Sequence, residues 1–116
     1  MKQKLLIIGG SGLLGSTLTN YAQSEYEVHI TYNKNFPTNK FVKSTSIDLI
    51  NNRKKIIDLI LLIKPDVVIH TAAHPSVDIC EINHKIADLL HVDVTQDIVN
   101  ICNSINSKLI YISTDA

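Results

Sequence analysis

The stretch Gly9-Gly-Ser-Gly-Leu-Leu-Gly-Ser16 stands directly behind the apolar run Leu5-Leu6-Ile7-Ile8, and all four glycines of the 116-residue chain fall inside it. The run is short, continuous and stopped by glycine, which predicts a strand over Lys4–Ile8 buried on both faces. Behind the glycines, Leu13, Leu14, Leu18, Tyr21 and Ala22 recur at helical spacing and predict an amphipathic helix over Leu13–Ser24. A strand that ends in glycines and opens a helix forms a cradle for phosphate. Gly9 makes the tight turn, Gly12 lets an anion approach the backbone, and Gly15 lets the helix pack close to the sheet. Ser11 lies within the same turn and joins the candidates. The N–H groups of Gly12, Leu13 and Leu14 then face the anion, where the helix dipole favours negative charge. Two registers fit, Gly9-x-x-Gly12-x-x-Gly15 and Gly10-x-Gly12-x-x-Gly15. The competing reading is a tight strand-to-helix turn with no ligand.

Working outward, Glu27–Tyr32 is rich in β-formers and predicts a second strand. Asn33–Lys40, with Pro37 and three asparagines, predicts a loop. Val42–Leu49 predicts a weaker third strand. Asn51-Asn52 is placed to cap a helix whose stripe is Ile56, Ile57, Ile60 and Ile63, with Pro65 after its end. Asp66–Thr71 predicts a fourth buried strand and His74–His84 a connection. Lys85–Ser104 predicts the longest helix and Lys108–Ser113 a fifth strand. Strands alternating with helices imply parallel pairing with helices on both faces. The fold class expected is therefore α/β, a Rossmann-type doubly wound parallel sheet of order 3-2-1-4-5, ending after strand five.

Length and composition narrow the function. The chain suits one domain, 45% of its residues are hydrophobic, and its formal net charge is zero. A neutral chain exerts no general pull on nucleic acid or on a membrane surface, so neither is expected as a partner. The longest aliphatic run, Leu59–Ile63, is far below the ~18 residues that span a bilayer. The apolar run at the N-terminus is too short for the ~7–15-residue core of a signal peptide, and a cytoplasmic location is expected. Cys80 and Cys102 have no metal spacing and read as buried, reduced thiols. His70 and His74 are four apart, but a strand end and a loop do not place them on one face, so no metal site is expected. Asp78 and Glu81 read as an acidic first helical turn, and Arg53-Lys54-Lys55 as a solvated helix start.

The end of the second strand should lie beside an adenosine ribose. A chain selecting NAD carries Asp or Glu there, yet Thr31–Lys40 contains no acidic residue. Asn33 and Lys34 occupy the place, and Lys34 can pair with a 2′-phosphate. NADP(H) is therefore expected ahead of NAD(H); the competing reading of Lys34 is a solvated loop lysine.

Gly9–Gly15, Ser46-Ile47-Asp48-Leu49, the block from Lys64-Pro-Asp-Val-Val-Ile-His-Thr71-Ala-Ala-His-Pro-Ser-Val-Asp78 to Glu81, and Tyr111-Ile-Ser-Thr-Asp115 occur in that order. Together they resemble the extended short-chain dehydrogenases/reductases, most closely the dTDP-4-dehydrorhamnose reductases and related sugar-nucleotide reductases, over essentially the whole chain. The resemblance implies reduction of a 4-keto nucleotide sugar by a nicotinamide cofactor. It places Asp48 and Leu49 against the adenine ring. It places Thr71, Ala72 and Ala73 along the ribose and phosphates. It makes Thr114 the hydroxyl residue that holds the substrate carbonyl, flanked by Ser113 and Asp115.

The pattern departs from the family in two places. The proton-donating tyrosine with a lysine four residues on is absent, since none of Tyr21, Tyr26, Tyr32 and Tyr111 has that partner. Residues 1–116 are accordingly expected to be the N-terminal, NAD(P)-binding part of a longer enzyme, inactive alone, with the substrate region elsewhere. His91 stands near where the family carries an asparagine, either replacing it or offset from it by a turn. The same fold also serves as a non-catalytic regulatory subunit of methionine adenosyltransferase, and that alternative stays open. The apolar stripe Ile86, Leu90, Val94, Val99 and Ile101 fits either core packing or pairing of two subunits in a homodimer.

Overall fold

A computed structural model describes residues 2–10, 13–33, 37, 42–49, 52–71 and 84–112, with backbone alone at residues 13 and 84–91. The elements are β1 (Gln3–Ile8), α1 (Leu13–Ala22), β2 (Tyr26–Tyr32), β3 (Lys43–Ser46), α2 (Arg53–Ile63), β4 (Val67–His70), α3 (His84–Ser104) and β5 (Lys108–Tyr111). The five strands form one sheet of order β3-β2-β1-β4-β5, and every pairing is parallel. The predicted fold class and strand order are both found.

β1 lies at the centre of the sheet, and Leu5 to Ile8 are buried on both of its faces. Leu6 and Ile8 face α2 and α3, where they join Ile47, Ile56, Ile60, Val68, Val94, Ile98 and Cys102. Leu5 and Ile7 face α1, with Val28 and Ile30 of β2 and, at the margin, Leu18 and Ala22. The alternation of strand side chains assigns these sets, and the 3.6-residue period of the helices supplies their partners. In α2, Ile56 and Ile60 are fully buried while Leu62 points outward. In α3, among the described side chains 92–104, the buried positions are Val94, Ile98 and Cys102, one per turn. Arg53 of α2 reaches Asp97 of α3 through Nε and Nη2 at 2.9 and 2.8 Å, and Asp93 at 3.6 Å, tying the two helices across their outer edge.

The ends of elements differ from expectation for local reasons. α1 stops at Ala22, where the Glu25 amide bonds the Ala22 carbonyl in a turn. Asn52 is the N-cap residue of α2, but its side chain makes no capping bond. At the other end Lys64 adopts a left-handed conformation, φ 51°, and its N–H caps the Ile60 carbonyl before Pro65. β3 is four residues long, shorter than Val42–Leu49, because it is an edge strand. After Ile47 donates to the Tyr32 carbonyl, Asp48 and Leu49 bend into a turn closed by Asn52 N–H on Asp48 O. β4, expected as a buried strand, is buried in part. Val68 and His70 are buried against α3, whereas Val67 and Ile69 are half-buried, since α1 covers the β1–β2 side of the sheet.

Candidate functional site

Because all five strands run the same way, Ile8, Tyr32, Ser46, His70 and Tyr111 end at one edge of the sheet. The chain leaves β1 toward β2 on one side and later crosses to β4 on the other. β1 and β4 therefore flank the point where strand order reverses, the place where doubly wound sheets bind ligands.

The turn after β1 is held from both sides. Gly9 has φ 89°, a conformation that side chains disfavour. Its N–H is shared by the carbonyl and the hydroxyl of Thr31 on β2, at 3.2 and 3.3 Å. The next N–H, of Gly10, donates to the same Thr31 carbonyl at 2.8 Å. On the β4 side the Thr71 N–H donates to Ile8 O at 2.9 Å, and the Thr71 hydroxyl donates to Ile8 O at 2.7 Å and to Gly9 O at 3.3 Å. A trans peptide points its C=O and N–H in opposite directions. The Gly9–Gly10 peptide is thus stretched between Thr71 and Thr31 as an additional rung of the sheet.

α1 packs onto that rung. A Cβ on Gly15 would strike the Gly9 carbonyl oxygen and sit 2.7 Å from Gly10 Cα; a Cβ on Gly10 would sit 2.5 Å from Ile30 Cβ. Both glycines exist so that turn, helix and β2 can touch. Two further bonds fasten the helix start, Ser16 Oγ to Gly10 O at 3.3 Å and Thr19 Oγ1 to Gly15 O at 2.7 Å. The backbone of Leu13 and Leu14 opens α1 at this edge, and Leu14 is 39% exposed. A helix start that follows glycines suits an anionic group.

The adjoining rim is made by β2 and β3. Ser46 Oγ donates to Asn33 O at 3.2 Å, and Lys55 Nζ donates to Ser46 O at 2.9 Å, which brings the ammonium of α2 close to the end of β2. Asp48 and Leu49 follow in the turn beyond β3, both partly exposed. On the β4 side His70 is fully buried, 3.4 Å from Thr95 Oγ1 and edge-on to Tyr111 at 5.1 Å between ring centroids.

Of the predicted site residues, Gly9, Leu13, Leu14, Gly15, Asn33, Asp48, Leu49 and Thr71 thus lie along one edge of the sheet. Ser11, Gly12, Lys34, Ala72, Ala73 and Thr114 lie outside the described residues, as do His74, Asp78, Cys80, Glu81, Ser113 and Asp115. Cys102 is buried in the α3 core, and burial pushes its thiol up to about 11, so it takes no part in the site. The part played by Thr31 was missed. Its signal is a hydroxyl residue on the rung opposite Ile8, visible only once the register is known. A groove of about 510 Å³ lies at the opposite edge, between Lys2, Tyr26, Glu27 and Lys43. It is remote from the glycine turn and from the helix start that favours an anion.

Residues 3–116 match the family model described as the RmlD substrate binding domain. The chain belongs to that family. A hypothetical dTDP-4-dehydrorhamnose reductase from Sulfolobus tokodaii is 32% identical, with TM-score 0.83, over 97% of this chain and 39% of that one. The RmlD-type chain also shares its fold with an L-threonine dehydrogenase from Clostridium difficile, at 20% identity and TM-score 0.79 over 97% and 37% of the two chains. A UDP-glucose 4-epimerase from Thermus thermophilus, solved with NAD, superposes at TM-score 0.79 with 21% identity over 96% and 37%. The chain spans less than two-fifths of the length of each of these proteins. No curated protein matches it.

Proposed function

We propose that this RmlD-family chain is the dinucleotide-binding part of a cytoplasmic oxidoreductase that uses NADP(H), ahead of NAD(H), to reduce a 4-keto nucleotide sugar. The observation that carries the reading is the glycine rung between Thr31 and Thr71 with α1 packed directly upon it. That arrangement presents helix-start amides, which lack intrahelical partners, at the point where strand order reverses.

In this reading the turn from Gly9 through Ser11 and Gly12 to Gly15, with the Leu13 and Leu14 amides, receives the pyrophosphate. Asp48 and Leu49 receive the adenine. Asn33 and Lys34 receive the 2′-phosphate, with Lys55 adding positive charge from the neighbouring rim. Ala72 and Ala73 border the ribose and phosphates, with Thr71 at the strand end before them, and Thr114 holds the sugar carbonyl. Bound there, a reduced nicotinamide supplies the hydride. The 116 residues contain no tyrosine with a lysine four positions on, so in this reading the proton donor comes from residues other than these and the 116 alone do not turn over. A homodimer stays part of the proposal, although of the apolar stripe on α3 Val94 is buried in the core and Ile101 packs against it.

Titration with NADPH and NADH, followed by nucleotide fluorescence, tests the reading. Binding of NADPH ahead of NADH is expected, with Lys34→Ala bringing the two together. No binding of either at millimolar concentration sinks the proposal. Binding without oxidation of NADPH by 4-keto nucleotide sugars, in a protein that continues past Ala116, would favour a regulatory role over a catalytic one.

A further inference from the structure

We infer that Thr71 is a positioning residue for the phosphate-facing turn, acting through the Gly9–Gly10 peptide rather than by touching a ligand. The inference rests on the dinucleotide reading and deepens it. The Thr71 hydroxyl has one hydrogen, and among the described residues its short contacts are two main-chain carbonyls, Ile8 O at 2.7 Å and Gly9 O at 3.3 Å. The proton that a ligand phosphate would need is therefore already shared within the protein.

Among the described residues the β1–β4 ladder ends at Ile8 and His70, and the Thr71 hydroxyl is the one group on the β4 side that reaches the Gly9 carbonyl. That carbonyl also lies where α1 comes closest, under Gly15. With the hydroxyl present, Gly9 O is drawn toward β4 and the Gly10 N–H is turned toward Thr31 on β2. That rotation fixes the direction in which the chain leaves the sheet, and with it the aim of the amides that open α1. Without the hydroxyl the peptide keeps only its β2 anchor. Gly9, which has no side chain, is then free to rotate about φ and ψ.

The test compares Thr71→Val, which keeps the shape and removes the hydroxyl, with Thr71→Ser, which restores it. The measured quantities are the NADPH dissociation constant and the hydrogen-exchange protection of the Gly10 amide. Thr71→Val is expected to bind NADPH about tenfold more weakly, the effect of roughly one net hydrogen bond, and to lose Gly10 protection without ligand. Thr71→Ser is expected to recover both. A merely structural role would lower the denaturation midpoint in Thr71→Val while leaving Gly10 protection and affinity near wild type. That result overturns the inference, as does failure of Thr71→Ser to recover a loss. Should Thr71→Val not fold, Thr71→Ser decides through the same two readouts: near-wild-type values support the inference and lost values overturn it. If the unaltered chain binds no NADPH, the dinucleotide reading fails first and takes the inference with it. If it binds and Thr71→Val binds equally well, only the inference fails.

Discussion

At the scale of single residues, the site turns on atoms that are missing. Gly15 has no Cβ because Gly9 O fills the place where one would be. Gly15→Ala must push α1 off the turn, an overpacking cost of about 1–3 kcal/mol. We expect a matching loss of stability in a urea titration, and a loss of NADPH affinity of the same energy, about 5- to 150-fold. Loss of stability with affinity intact would separate the helix contact from the binding geometry. The glycines were legible because a chain that concentrates all its glycine in seven positions announces a backbone requirement there. The hydroxyls of Thr31 and Thr71 were not legible in the same way. Thr71 reads naturally as a ligand contact at a strand end, and only the register shows its hydroxyl turned to the backbone of β1.

At the scale of elements, hydrophobic pattern located all five strands and the three described helices, since each buried face writes its period into the sequence. It did not locate their ends. β3 stops at Ser46 because an edge strand has one neighbour, and β4 is half-covered because of where α1 lies, both facts of arrangement rather than composition. The Arg53–Asp97 pair also escaped a linear reading, being separated by 44 positions. It joins α2 to α3 at a partly exposed edge, so its worth is modest. Asp97→Asn should lower stability by about 0.5–1 kcal/mol, with the loss shrinking in high salt. Asp93→Asn should change less, since its contact is longer and its side chain is more exposed. Denaturation midpoints at low and high salt check both.

At the scale of the whole molecule, one histidine links folding to acidity. His29 of β2 bonds Thr45 of β3 at 2.7 Å, and its pKa is lowered from 6.5 first by burial and then by the Lys43 charge. The unfolded chain therefore takes up this proton at a higher pH than the folded one. Above the unfolded value the group contributes no pH dependence. As pH falls from about 6.5 to the lower folded value, protons favour the unfolded state and stability declines. His29→Gln should remove that part of the slope in a pH series of urea midpoints, and Lys43→Gln should shallow it. An unchanged slope in both variants would assign the decline to other groups.

The additional rung also ties the turn to the order of synthesis. Gly9 and Thr71 are 62 residues apart, and β1, made first, is flanked on one side by a strand made much later. At ~5–20 residues per second, translation leaves the glycine turn with its β2 anchor alone for a time on the order of seconds. Through that interval a nascent chain holds the whole glycine motif yet lacks its second fastening. The turn is complete only once Thr71 has emerged and the second fastening can form.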